Sequence, residues 1–129
     1  MAHAKPMICF VEDSDIDFEM ALLATRRVRP DAEVRRCVTF HDAVRTLGDA
    51  DLSLIVLDMN LPDGNGLEVL RHLRNLGMRE EVSVVVFSTS ANPNDREGAL
   101  QAGANEYVQK PSRTEVFLEA VGTFVERWA

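Results

Sequence analysis

Two unbroken apolar runs, Leu52-Ser53-Leu54-Ile55-Val56-Leu57 and Val82-Ser83-Val84-Val85-Val86-Phe87, most constrain what this chain can fold into. Each has strand length, and neither alternates polar with apolar residues. A strand that shows water no face is buried on both sides, as in a parallel sheet covered by helices. The rest of the chain fits that reading. Met7–Val11 is a third apolar run, Glu33–Val38 a fourth strand, and Glu106–Val108 a short fifth. Amphipathic stretches separate them. Ser14 or Asp15 caps a helix running to about Val28, with Ile16, Met20, Leu23 and Val28 as its apolar stripe. Ala43, Val44 and Leu47 mark a short helix stopped by Gly48. Leu67, Leu70 and Leu73 to Leu76 mark another. A fourth ends near Ala102, with Gly103 as its C′ glycine. Ser112 and Glu115 form a capping-box signature that opens a last helix. The pattern is βα repeated five times, an α/β three-layer sandwich around a parallel five-stranded sheet.

The 129 residues make one ordinary domain, with a core at about 7–127 and no output domain expected. A net charge of −7 speaks against a nucleic-acid partner and against a membrane surface. No apolar run approaches the roughly 18 residues of a spanning helix, and Met1–Pro6 leads into no signal-like stretch. A cytoplasmic protein is expected, with Cys9 and Cys37 as buried thiols rather than a disulfide. Basic charge is carried by twelve Arg and only two Lys, Lys5 and Lys110, which singles out Lys110.

Ligands of open parallel sheets bind beyond the carboxyl ends of the strands. There the order of elements puts Glu12 and Asp13 after the first strand and Asp58 after the third. Ser88 and Thr89 follow the fourth strand, and Lys110 the fifth. Three carboxylates held close repel one another and call for a cation. Oxygen-only ligation suits Mg²⁺, which often shares its sphere with phosphate oxygens. A carboxylate in such company can attack phosphorus and form an acyl phosphate. The loop Asp58–Gly66 superficially resembles a calcium loop. It fails as one, because Pro62, Asp63 and Val69 stand where a ligand, a glycine and the bidentate Glu belong. His3, His41 and His72 fall in no metal-binding spacing.

Four motifs, Val11-Glu12-Asp13, Leu57–Gly66, Phe87-Ser88-Thr89-Ser90 and Tyr107-Val108-Gln109-Lys110-Pro111, stand in order and at matching separations. On them the chain resembles the receiver domain of two-component response regulators. The resemblance implies a flavodoxin-like sheet of order 2-1-3-4-5, with Asp58 as phosphoacceptor for a histidine kinase's phosphohistidine. It gives Mg²⁺ to Glu12, Asp13, Asp58 and the backbone carbonyl of Asn60. Ser88 and Lys110 are implied to bind the phosphoryl oxygens, Tyr107 to act with Ser88 as the switch, and the Lys110–Pro111 peptide to be cis. Glu12 replaces the commoner aspartate, and its longer side chain still reaches a metal through water. Asn60-Leu61-Pro62 and Ser88-Thr89-Ser90-Ala91-Asn92 are most similar to regulators paired with bacterial phytochrome kinases; chemotaxis-type or phosphorelay single-domain regulators are the alternative. The chain is then no conventional enzyme, catalysing only its own phosphorylation and dephosphorylation. Its output passes to another protein or a phosphotransfer domain. A receiver-like module that binds partners regardless of phosphate is the rival from another class. An aspartyl-phosphate phosphatase is disfavoured, because Asn60 stands where a second acid is needed.

The last helix carries more apolar surface than one sheet contact requires, with Phe117, Val121, Phe124, Val125 and Trp128 on it. A homodimer through this helix and a partner-docking face are equally compatible with that pattern.

Overall fold

The computed structural model describes residues 5–47, 51–75 and 82–129. Its elements are β1 (Met7–Val11), α1 (Asp15–Val28), β2 (Glu33–Cys37), α2 (Phe40–Leu47), β3 (Leu54–Leu57), β4 (Asn60–Leu61), β5 (Gly64–Asn65), α3 (Gly66–Asn75), β6 (Ser83–Ser88), α4 (Pro93–Gln101), β7 (Glu106–Gln109) and α5 (Thr114–Trp128). Five strands form one parallel sheet of order β2-β1-β3-β6-β7. That is the expected 2-1-3-4-5 arrangement once the small β4–β5 hairpin is set aside. Gly48, Leu76 and the first four residues lie outside the described residues.

Side chains alternate across each strand, so the sheet has two separately packed faces. Cys9, Val11, Ile55, Leu57, Val84 and Val86 face a layer made with α2, α3 and α4. Ile8, Phe10, Leu54, Val56, Val85 and Phe87 face α1 and α5. On the second face Phe87 meets Phe117 and Phe124 at ring distances of 5.0 and 5.2 Å. Such aromatic pairs add to the gain from area burial alone.

Local rules explain most boundaries. Ser14 Oγ accepts the backbone N–H of Asp17 at 3.2 Å and starts α1. Asn92 caps α4 in the same way, with Pro93 at its first turn. Gly103 closes α4 at φ +107°, a conformation that costs glycine nothing. Cys9 and Cys37 are free buried thiols, 3.8 Å apart.

Four expectations are corrected. The stripe of α1 is rotated: Ile16 and Leu23 are 72% and 47% exposed, while Ala21, Ala24 and Thr25 are buried. Small residues allow α1 to lie close against α5, where Gly122 faces Val28. The capping box is not made. The N-cap of α5 is Arg113, without a side-chain hydrogen bond, so Ser112 precedes the cap instead of forming it. The Lys110–Pro111 bond is trans; Lys110 reaches the site from a trans peptide, the form X–Pro bonds generally prefer. Finally, Phe117, Val121, Phe124 and Val125 are all 3% exposed or less, packed between their own sheet and α1. The wide apolar face of α5 is consumed inside the molecule because the helix touches two neighbours, and these four side chains offer no dimer or docking surface. Trp128 is half-buried, its indole N–H donating to Glu106 at 2.7 Å.

Candidate functional site

The carboxyl edge of the sheet gathers its charges through backbone contacts that continue the strand ladders. Beyond β1, the Glu12 N–H donates to Cys37 O at 2.9 Å, and Arg36 Nε donates to the Glu12 carbonyl at 3.0 Å. Beyond β3, the Asp58 N–H donates to Val11 O at 3.0 Å. Beyond β6 and β7, the Lys110 N–H donates to Ser88 O at 2.6 Å. Each site residue thus sits one step past a paired strand, held by the sheet while its side chain turns outward.

Asp58 is further fixed from the loop that follows. Asn60 donates its N–H to Asp58 Oδ1 at 3.2 Å. The chain then turns through Pro62-Asp63, pairing Asn60 with Asn65 and Leu61 with Gly64 in a miniature antiparallel hairpin. At the foot of the hairpin the Gly66 N–H donates to Met59 O, and a Cβ on Gly66 would collide with the Asp58 carbonyl. Glycine is required there by proximity, and the motif's final Gly is accounted for.

The side chains converge as follows. Ligand oxygens of Glu12, Asp13 and Asp58 lie within 4.8 Å of one another; Glu12 and Asp58 are buried and Asp13 is exposed. The Lys110 side chain is 5% exposed, and its Nζ donates to Glu12 Oε1 at 2.6 Å, to Asp17 Oδ2 at 2.8 Å and to Asp58 Oδ2 at 3.4 Å. Burial pushes the Glu12 carboxyl up to about 7, with Asp58 adding repulsion and Lys110 only partly offsetting both. Burial opposes the Lys110 charge, yet Asp17, Glu12 and Asp58 together hold its ammonium above the ordinary lysine range. The donor set is carboxylate oxygen, crowded and short of positive charge, and so it fits Mg²⁺ completed by water. The Asn60 backbone stands at this edge through its contact with Asp58.

Ser88 is fully buried, with its Oγ accepting the Ser90 N–H at 3.3 Å. Tyr107 is 8% exposed, and its hydroxyl donates to the Ser90 carbonyl at 2.7 Å. Ser90 therefore ties the expected hydroxyl to the expected aromatic residue through its own backbone. Its side chain bonds Asp95 in α4.

Two residues of this region escaped sequence reasoning. Asp17 brings a fourth carboxylate to this edge, through the bond it accepts from Lys110. The only hint was its place three residues after the cap, in a helix that opens directly behind Glu12-Asp13. Asp63, at the hairpin tip, accepts the N–H groups of Phe40 and His41 at 2.6 and 3.1 Å and so caps α2 from across the molecule. Desolvation works against its charge, but these two donors hold the Asp63 carboxyl below its usual range. Nothing local in the sequence marks that contact.

A five-stranded parallel sheet with this edge defines a class, and the comparisons agree with it. Residues 8–122 match the response regulator receiver domain, and the chain belongs to that family. It is similar to the transcriptional regulatory protein KdpE of Mycobacterium tuberculosis, 30% identical over 115 residues, 87% of this chain and 50% of that one. It also resembles the solved structure of the phosphorylated cyanobacterial phytochrome response regulator RcpA. The TM-score there is 0.87 at 28% identity, over 97% of this chain and 94% of the other. The response regulator RPA3017, described in red light signalling of R. palustris, matches with TM-score 0.78 at 26% identity over 95% and 93%. The chain spans between about a quarter and a half of the length of the curated relatives it matches. Among the described residues no helix is long and apolar enough to cross a membrane.

Proposed function

We propose that this receiver accepts a phosphoryl group on Asp58 from a histidine kinase and passes the change on by altering protein contacts. The observation that carries it is the approach of Lys110 Nζ to Asp58 within a cluster that also holds Glu12 and Asp13. An Asp58 oxygen attacks phosphorus, the bond to the leaving phosphohistidine nitrogen breaks, and an acyl phosphate remains. Mg²⁺ held by Glu12, Asp13, Asp58 and the Asn60 carbonyl would supply positive charge against the phosphoryl oxygens. Lys110 gives the site its own positive charge from a buried position, where charge is least screened. The Ser88 hydroxyl serves as a donor for a phosphoryl oxygen.

The switch is local. Drawing Ser88 toward the phosphoryl group disturbs its bond from Ser90, and Ser90 is the residue whose carbonyl holds Tyr107. Tyr107 is already turned inward here, so phosphorylation shifts the stability of this arrangement and need not create it. A bacteriophytochrome kinase is the favoured donor, supported by the likeness to RcpA and RPA3017, and a cytoplasmic setting follows from that pairing. The downstream protein or phosphotransfer domain is expected to contact the face that carries Tyr107 and α4.

Acetyl phosphate with Mg²⁺, followed by intact-mass measurement, tests the acceptor. One phosphoryl adduct is expected on the parent protein and none on Asp58→Asn. An adduct that survives this substitution, or none at all, sinks the proposal in favour of a phosphate-independent binding module. Phosphotransfer from purified phytochrome kinases against other histidine kinases tests the pairing.

A further inference from the structure

Asp17 belongs to α1 by its place in the chain and to the Lys110 site by contact. It stands at the third residue of α1, where an acid commonly turns back onto the N–H of the cap residue. Here that N–H belongs to Ser14 and is already taken by Glu12 Oε2 at 3.1 Å. The Asp17 carboxylate is thereby released from capping and instead accepts from Lys110 Nζ at 2.8 Å. It is 26% exposed, the most open of the three oxygen partners around an ammonium that is itself almost fully enclosed.

An ammonium has three N–H bonds to give. Lys110 spends them on Glu12, Asp17 and Asp58, and the contact to Asp58 is the longest at 3.4 Å. A phosphoryl oxygen arriving on Asp58 finds every donor engaged, and a short contact to Lys110 means drawing the ammonium away from Glu12 or Asp17. Glu12 has a second cation to turn to, because it belongs to the Mg²⁺ cluster. Asp17 lies outside that cluster and has no other cation within the ion-pair contacts described. It also adds a negative charge to an edge that an anionic phosphodonor has to approach.

We infer that Asp17 is a positioning residue that holds Lys110 back in the resting protein and competes with the phosphoryl group for it. This rests on the reading of Asp58 as phosphoacceptor and deepens it. Asp17 acts through Lys110 alone and touches no reacting atom.

The test is phosphorylation of the full chain by acetyl phosphate at fixed Mg²⁺, with initial rates followed across donor concentration. Asp17→Asn removes one charge beside the lysine. It is expected to lower KM for acetyl phosphate roughly tenfold with little change in the maximum rate. Beryllofluoride titration of the same variant should show tighter binding by a similar factor. Asp17→Glu restores the carboxylate and should return both values to within about twofold of the parent. A purely structural role predicts instead a lower melting temperature with KM unchanged in both variants, and that result overturns the inference. A raised KM in Asp17→Asn overturns it too, since it would make Asp17 an aid to donor binding. If the parent protein itself is not labelled on Asp58, the phosphoacceptor reading and this inference fall together. A labelled parent with an unaltered Asn variant removes this inference alone.

Discussion

On the α1–α5 face, Phe87, Phe117 and Phe124 bury their rings against one another. At the adjoining edge, with Lys110 Nζ 5.9 Å from the Phe87 ring, three carboxylates crowd one ammonium and Asp13 stands beside two of them. Both regions bury side chains at their centres, Glu12 and Asp58 in the second, yet burial acts on them in opposite ways. Removing aromatic surface from water stabilises the fold. Removing carboxylates from water opposes it and leaves a site that gains when positive charge arrives. The same sheet therefore holds its stability on one side and its reactivity at one end, with Phe87 bordering both.

The largest effect should come from breaking the aromatic side. Phe124→Ala empties a site that is 1% exposed and should cost about 3–5 kcal/mol in urea unfolding. Any folded fraction should still be labelled on its aspartate by acetyl phosphate, which shows that the two regions divide the work. A loss of labelling in proportion greater than the loss of fold would show that the division is not clean.

Next comes the edge itself. The Glu12 carboxyl is raised from 4.5 to about 7 in the folded protein. A raised carboxyl keeps its proton in the native state after the unfolded chain has lost it. Its contribution to stability is then full below the unfolded value of 4.5 and is lost as pH rises through about 7. Metal-free protein should melt progressively lower across that window, Glu12→Gln should flatten the trend, and Mg²⁺ should raise the melting temperature most at its alkaline end. A parent profile already flat across the window would show that Glu12 does not titrate as described.

The smallest effect belongs to the hairpin tip. Asp63→Ala strips two acceptors from the first turn of α2 and should lower the melting temperature slightly. The change should be seen in the α2 amides by NMR, with the Asp58 loop otherwise preserved by Gly66.

What could be known from residues alone divides along similar lines. The strands of the buried sheet were legible because Leu54–Leu57 and Ser83–Ser88 are protected on both faces, and their apolar runs are too short for a buried helix. Glu12, Asp13, Asp58 and Lys110 were legible because strand ends fix where the next residue must stand. The Ile16 and Leu23 stripe failed because α1 chooses its contact face by fit against α5, and there small Ala21 and Ala24 outweigh larger apolar side chains. The surplus apolar surface of α5 was misassigned for a related reason: periodicity counts how much surface a helix must hide and says nothing of how many neighbours hide it. Asp17 and Asp63 were missed because each acts on a partner far along the chain.

Trp128 is the one tryptophan of the chain. Its indole N–H is bound to Glu106, the residue directly before Tyr107 on β7. The protein thus carries its own fluorophore at the far end of the strand that bears Tyr107. Emission from that single ring reports on whether the end of α5 stays fastened to β7, so the outcome of phosphorylation at the opposite edge is open to optical reading without a label.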